Sequence, residues 1–155
     1  MKKVFTVLFI MMVLTACSFT NSKETQSETR TEHNYQFIGN SEHWEAEYSY
    51  EATEIWRENE RKQTGHSSKD SYELVLKYKG SLEELSSMKN LEYSFETTSQ
   101  SASTKEQFPE PPSEKVFRTG GGSEGGAIIG EGEVIKVNVK WDDSEESFEL
   151  HNKDK

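Results

Sequence analysis

The chain has 155 residues, a formal net charge of −10, one cysteine and 30% charged residues. That length accommodates one domain of ordinary size, and a single cysteine rules out an intrachain disulfide framework. An acidic excess of 28 Asp and Glu over 18 Lys and Arg lacks the basic footprint that nucleic acid binding needs.

The N-terminus opens with Met1-Lys2-Lys3, followed by an apolar run from Val4 to Leu14 that only Thr6 interrupts. A basic start and a short apolar stretch are the layout of a secretory signal. The run is too short to span a bilayer, which takes about 20 apolar residues. It ends at Leu14-Thr15-Ala16-Cys17 and gives way at once to polar residues. This stretch resembles the lipobox of bacterial lipoproteins. The resemblance implies a diacylglycerol thioether on Cys17 and signal cleavage between Ala16 and Cys17. It also implies an anchor of two or three acyl chains, enough for stable attachment. Residues 1–16 are then the signal peptide. Without Lys2 and Lys3 the basic count falls from 18 to 16 against the same 28 acidic residues, and the charge to −12. Such a surface stays soluble and gains nothing from anionic headgroups, so the lipid alone must hold the protein to the membrane.

Residues 17–34 carry the lipidated cysteine and a Ser-, Thr- and Glu-rich stretch that buries too little apolar surface to fold alone, and they read as a flexible tether. From Tyr35 the pattern becomes alternation. Trp44, Ala46, Tyr48, Tyr50 and Ala52 share one face against Glu45, Glu47, Ser49 and Glu51. Tyr72–Tyr78, Leu91–Phe95, Ile135–Trp141 and Phe148–Leu150 repeat it, and Tyr35–Ile38 and Val116–Arg118 add two shorter runs. A period of two with aromatic and β-branched residues on one side predicts half-buried antiparallel strands. Residues 35–155 are therefore expected to form a single all-β domain, an antiparallel β-sandwich of the immunoglobulin-like kind. Trp44 and Trp141 are assigned to its core. Thr53–Lys69 reads as an elaborated loop, Gly80–Ser87 as one helical turn around Leu82 and Leu85, and Ser99–Ser113 as a Pro-ended loop. Trp141–Glu146 reads as a tight turn between the last two strands. Val137–Trp141 followed by Glu146–Leu150, together with Gly39–Trp44, resembles the closing hairpin and the opening of a group of small lipoproteins from monoderm (Gram-positive) bacteria. That resemblance implies location and architecture and transfers no active site.

Gly121-Gly122-Ser123-Glu124-Gly125 matches the G-x-S-x-G nucleophile elbow, with Asp142 and His151 following in hydrolase order. The elbow needs a helix after its serine, and Gly126–Gly130 is no helix former. The same glycines lack the Lys-Ser/Thr ending of a phosphate loop and contain Glu124 instead, so Gly120–Gly126 reads as a hairpin loop. His33, His43, His66 and His151 show no zinc-ligand spacing, and Asp142–Glu146 lacks the calcium-loop pattern. No catalysis, metal or cofactor is expected. Trp56 stands alone in a polar segment and is the candidate contact residue. The sequence thus predicts a lipid-anchored binding or interaction module on the extracytoplasmic face of the cell membrane, touching an envelope protein or a small ligand. The alternative is a ligand- or metal-ion-scavenging lipoprotein, and behind it a small serine hydrolase around Ser123.

Overall fold

A computed structural model describes residues 27–155. It is all-β. In chain order the strands are β1 (Ser27–Asn40), β2 (Trp44–Glu58), β3 (Thr64–Tyr78), β4 (Asn90–Glu96), β5 (Ser101–Gln107), β6 (Val116–Glu124), β7 (Ile135–Trp141) and β8 (Ser144–Asn152). A single 3-10 turn at Glu83–Ser87 buries Leu85, where the sequence predicts one helical turn. Among the described residues no helix is long and apolar enough to cross a membrane.

The eight strands form one antiparallel sheet in the order β5-β4-β7-β8-β1-β2-β3-β6, curled towards a barrel, where two separate sheets were expected. The join between its halves is narrow: β1 and β8 pair only at Phe37↔Asn152 and Ile38↔His151. Gly39 lies beside this join, and a Cβ there would run into the carbonyl oxygen of Glu149. Only glycine lets the two backbones approach so closely while the sheet turns its corner. The order also departs from the immunoglobulin arrangement, which pairs the second strand with the fifth. Here β1, β2 and β3 run as a meander and β6 adds to β3.

Curling places the apolar face of one half against that of the other. Tyr48 on β2 and Tyr72 on β3 both pack on Phe95 of β4, at ring separations of 5.0 and 4.9 Å. The Tyr93 hydroxyl donates across the interior to the Arg118 carbonyl oxygen at 2.9 Å. Phe37, Trp44, Tyr48, Tyr50, Leu74, Leu76, Leu91, Ile135, Val139 and Leu150 are buried along the predicted faces. Trp44 is core as expected, whereas Trp141 is only partly buried and packs at the core's rim.

Several segments that read as loops are strands. Ser27–Asn34, assigned to the tether, is the first part of β1, paired from Ser27↔Glu58 to Asn34↔Glu51. Its ladder is backbone to backbone, so its polar side chains never had to be buried. Residues 17–26 lie outside the described residues. Thr53–Lys69 continues β2 into β3 around a turn in which the Asn59 side-chain oxygen accepts from the amides of Arg61 and Gln63. The segment from Ser101 to Gln107 within the predicted Pro-ended loop is β5, an edge strand. Gly120–Glu124 extends β6 alongside Lys69–Glu73, so the glycine run is mostly strand and not a hairpin loop. The Asp142-Asp143 turn between β7 and β8 is tight as expected, with Asp142 at φ 47°.

Candidate functional site

The far end of the β1–β2–β3 meander outlasts its neighbours. β2 and β3 stay paired to Glu58↔Thr64 and β1 follows to Ser27, whereas β6 leaves at Lys69↔Glu124. A three-stranded ribbon therefore projects past the body of the sheet. Its inward side has lost the opposing half that covers the core, and so presents polar and aromatic groups. Trp56 is 43% exposed there, its indole centred 4.3 Å from the ring of His66 on the neighbouring strand.

His66 Nε2 donates to Glu54 Oε1 at 2.9 Å, and the other carboxylate oxygen of Glu54 lies 3.8 Å from His33 Nε2. His33 Nδ1 is 3.0 Å from the Tyr35 hydroxyl. The register puts His33 and His66 on opposite diagonals of Glu54, since Glu54 pairs with Thr31 and Ser68. The two imidazoles flank one carboxylate from either side and do not close around a common point. What the ribbon offers is an indole face with an imidazole and a carboxylate beside it. That suits a flat or cationic side chain laid on Trp56.

The hydrolase pattern does not assemble. Ser123 is the next-to-last residue of β6, paired with Asp70 inside the sheet, and donates to its Oδ2 at 2.5 Å. Asp142 caps the start of β4, accepting from the Lys89 and Asn90 amides at 3.1 and 3.0 Å. His151 sits on β8 opposite Ile38, with Glu149 3.7 Å away. Ala16 and Cys17, the cleavage and lipidation residues of the lipobox reading, lie outside the described residues.

At the opposite end of the sheet, the β1–β2 turn and the start of β8 bring Glu42, His43 and Glu146 together. Neither a spacing motif nor periodicity pointed to this group, because Glu146 lies 103 positions beyond His43. Glu146 accepts from the Ser41 hydroxyl at 2.5 Å and from the His43 amide at 3.1 Å, both on Oε2. His43 Nδ1 approaches Oε1 of the same carboxylate at 2.5 Å. The bond to Glu146 raises the His43 pKa above its ordinary value of 6.5, against partial desolvation. Burial alone would raise Glu146, but its bonds from Ser41 and His43 prevail and hold it below 4.5.

No protein-family model matches the chain, and neither a curated protein nor a solved structure shows significant similarity to it.

Proposed function

We propose that the protein is a lipid-anchored binding module of the cell envelope, held by acyl chains on Cys17 and making contact through the ribbon around Trp56. The observation that carries the contact surface is the exposed indole of Trp56 beside His66 and Glu54, on a sheet face that the rest of the fold leaves uncovered. Burying an aromatic ring is a large source of contact energy, so a domain that leaves one exposed beside a carboxylate presents an anchor for a partner. The chemistry suits a protein partner that brings a basic or aromatic side chain to the ribbon. The anchor rests on the lipobox resemblance at Leu14–Cys17. The sheet reads as sandwich-like, since its halves meet through only two residue pairs at β1–β8 and pack face to face across Tyr48 and Phe95. Immunoglobulin-like strand order is not part of this reading.

The test combines location with contact. Cys17→Ser is expected to move the protein from the membrane fraction to the soluble exported fraction. A photo-crosslinking residue at position 56 of the membrane-attached chain is expected to give a discrete adduct, which the same group at exposed Lys105 does not give. Equal labelling from the two positions removes Trp56 as the contact. Membrane retention of the Cys17→Ser protein removes the lipid anchor.

A further inference from the structure

We propose that Glu42, His43 and Glu146 form a binding site for a divalent transition-metal ion, with Nδ1 of His43 and one oxygen from each carboxylate as ligands. This site is remote from the Trp56 ribbon, and it stands whether or not Cys17 carries lipid.

The geometry is close to what such an ion needs. One ligand atom from each of the three residues lies within 4.8 Å of the other two. Tetrahedral coordination at about 2.0–2.1 Å places ligand atoms about 3.3 Å apart. The shared position between His43 Nδ1 and Glu146 Oε1, now 2.5 Å across, would open by under about 1 Å to admit the ion. The metal takes Nδ1 of a neutral imidazole whose remaining proton is on Nε2. From the imidazolium one proton is released to solvent, and from the neutral ring the Nδ1 proton is exchanged for one on Nε2, so binding costs least when the medium is neutral or above.

Two of the three ligands are already held in place. The second oxygen of Glu146 is fixed by the Ser41 hydroxyl and the His43 amide, which directs the first oxygen towards His43. The imidazole lies between the rings of Tyr78 and Trp141, at 6.4 and 5.8 Å. Outer contacts of this kind orient ligands and raise affinity. The local field also favours a cation. Two carboxylates, of Glu42 and Glu146, converge on one imidazole there. Lys79 Nζ donates to the Ser41 carbonyl oxygen at 2.8 Å and makes no ion pair with a carboxylate of the cluster.

The donor set narrows the metal. An imidazole with two carboxylates suits zinc, manganese or a neighbouring first-row ion better than calcium, which prefers six or more oxygens. Three protein ligands leave a position for water, and His43, with a side chain 44% exposed, leaves the ion a path from solvent.

A plain His43–Glu146 ion pair accounts for two of these residues and not for the third. Glu42 is exposed and makes no hydrogen bond or ion pair among the described residues, yet its carboxylate completes the triangle. Glu42→Gln therefore separates the two readings with no loss of a structural contact. The experiment is calorimetric titration of zinc chloride into the full chain after chelator dialysis, at neutral pH in detergent, with tryptophan emission followed in parallel. Expected are saturable one-to-one uptake and an emission change, since Trp141 and Trp44 adjoin the site. Glu42→Gln is expected to bind at least about tenfold more weakly and His43→Asn about a hundredfold more weakly. His66→Asn should bind as the unsubstituted chain does. Absence of saturable uptake overturns the proposal, as does unchanged affinity in Glu42→Gln. Loss of binding in His66→Asn overturns it too, by moving the ion to the ribbon.

Discussion

His43 and Glu146 share one hydrogen bond, and it acts on their proton affinities in opposite directions. The bond to Glu146 is the main cause of the raised His43 value. That contribution to stability is complete below 6.5, the ordinary value, and is lost as pH rises through the higher folded one. For Glu146, burial opposes ionisation but the Ser41 and His43 bonds outweigh it. Its contribution is complete above 4.5 and is lost as pH falls through the lower folded value. Both are present together between 4.5 and 6.5. In chelator-treated protein, the melting-temperature gap between the unsubstituted chain and Glu146→Gln is thus expected to be widest in that window and to narrow on either side. A gap that stays constant across the range would mean that the pair does not ionise as described. Because the side chain of His43 is 44% exposed, solvent screening keeps the effect modest.

At the scale of elements, the weakest joint is the two-pair seam of β1 and β8, and Gly39 governs it. Gly39→Ala pushes a methyl group at the Glu149 backbone and the Leu150 side chain, neither of which is free to swing away. Overpacking of this kind costs about 1–3 kcal/mol, read as a lowered midpoint in urea unfolding. Gly130→Ala, which meets nothing within 4 Å, is the matched control expected to stay near the unsubstituted value. The same seam explains what the sequence can and cannot disclose. Strands with one buried face announce themselves, as Trp44–Ala52, Leu74–Tyr78 and Ile135–Val139 do, because burial forces every second residue to be apolar. The ends of β1, β2 and β3 are held by backbone ladders with both faces at least partly wet everywhere but at the buried, polar Ser68, so Ser27–Asn34 and Thr53–Lys69 had no reason to carry alternating apolar residues. β5 is hidden for a similar cause: an edge strand of Ser, Thr and Lys protects the sheet from pairing with other chains and carries few apolar residues. The joining of both halves into one sheet depends on a glycine and two residue pairs, which no periodicity encodes. Trp56 was visible as an aromatic out of place. Glu42, His43 and Glu146 were not, because only the register of β1 with β2 and β8 brings their turns together.

On the scale of the whole molecule, β1 fixes which end faces what. Its 14 residues run the length of the ribbon and the body, roughly 45 Å at strand rise, from the Trp56 end to the Glu42–His43 turn. The chain enters β1 at Ser27, opposite Glu58, so whatever lies before it arrives at the ribbon tip. Ten peptide steps separate Cys17 from Ser27 and cannot exceed about 35 Å however they are arranged. If Cys17 is the lipid anchor, the ribbon is the membrane-proximal end and the His43 cluster the distal one. The charge of −12 left once Lys2 and Lys3 go with residues 1–16 (16 basic against 28 acidic residues) opposes laying the sheet flat on an anionic bilayer, where like charge would be brought within a screening length along its side. An upright stance puts the indole of Trp56 within reach of the membrane-embedded partners of an envelope and leaves the cation site open to the exterior. Energy transfer from a donor dye at Glu60, in the ribbon turn, to an acceptor-labelled bilayer is then expected to exceed that from a dye at Asp143, beside the distal cluster. Equal transfer from both positions would mean that the protein lies along the surface, and that Trp56 faces lipid as readily as a protein partner.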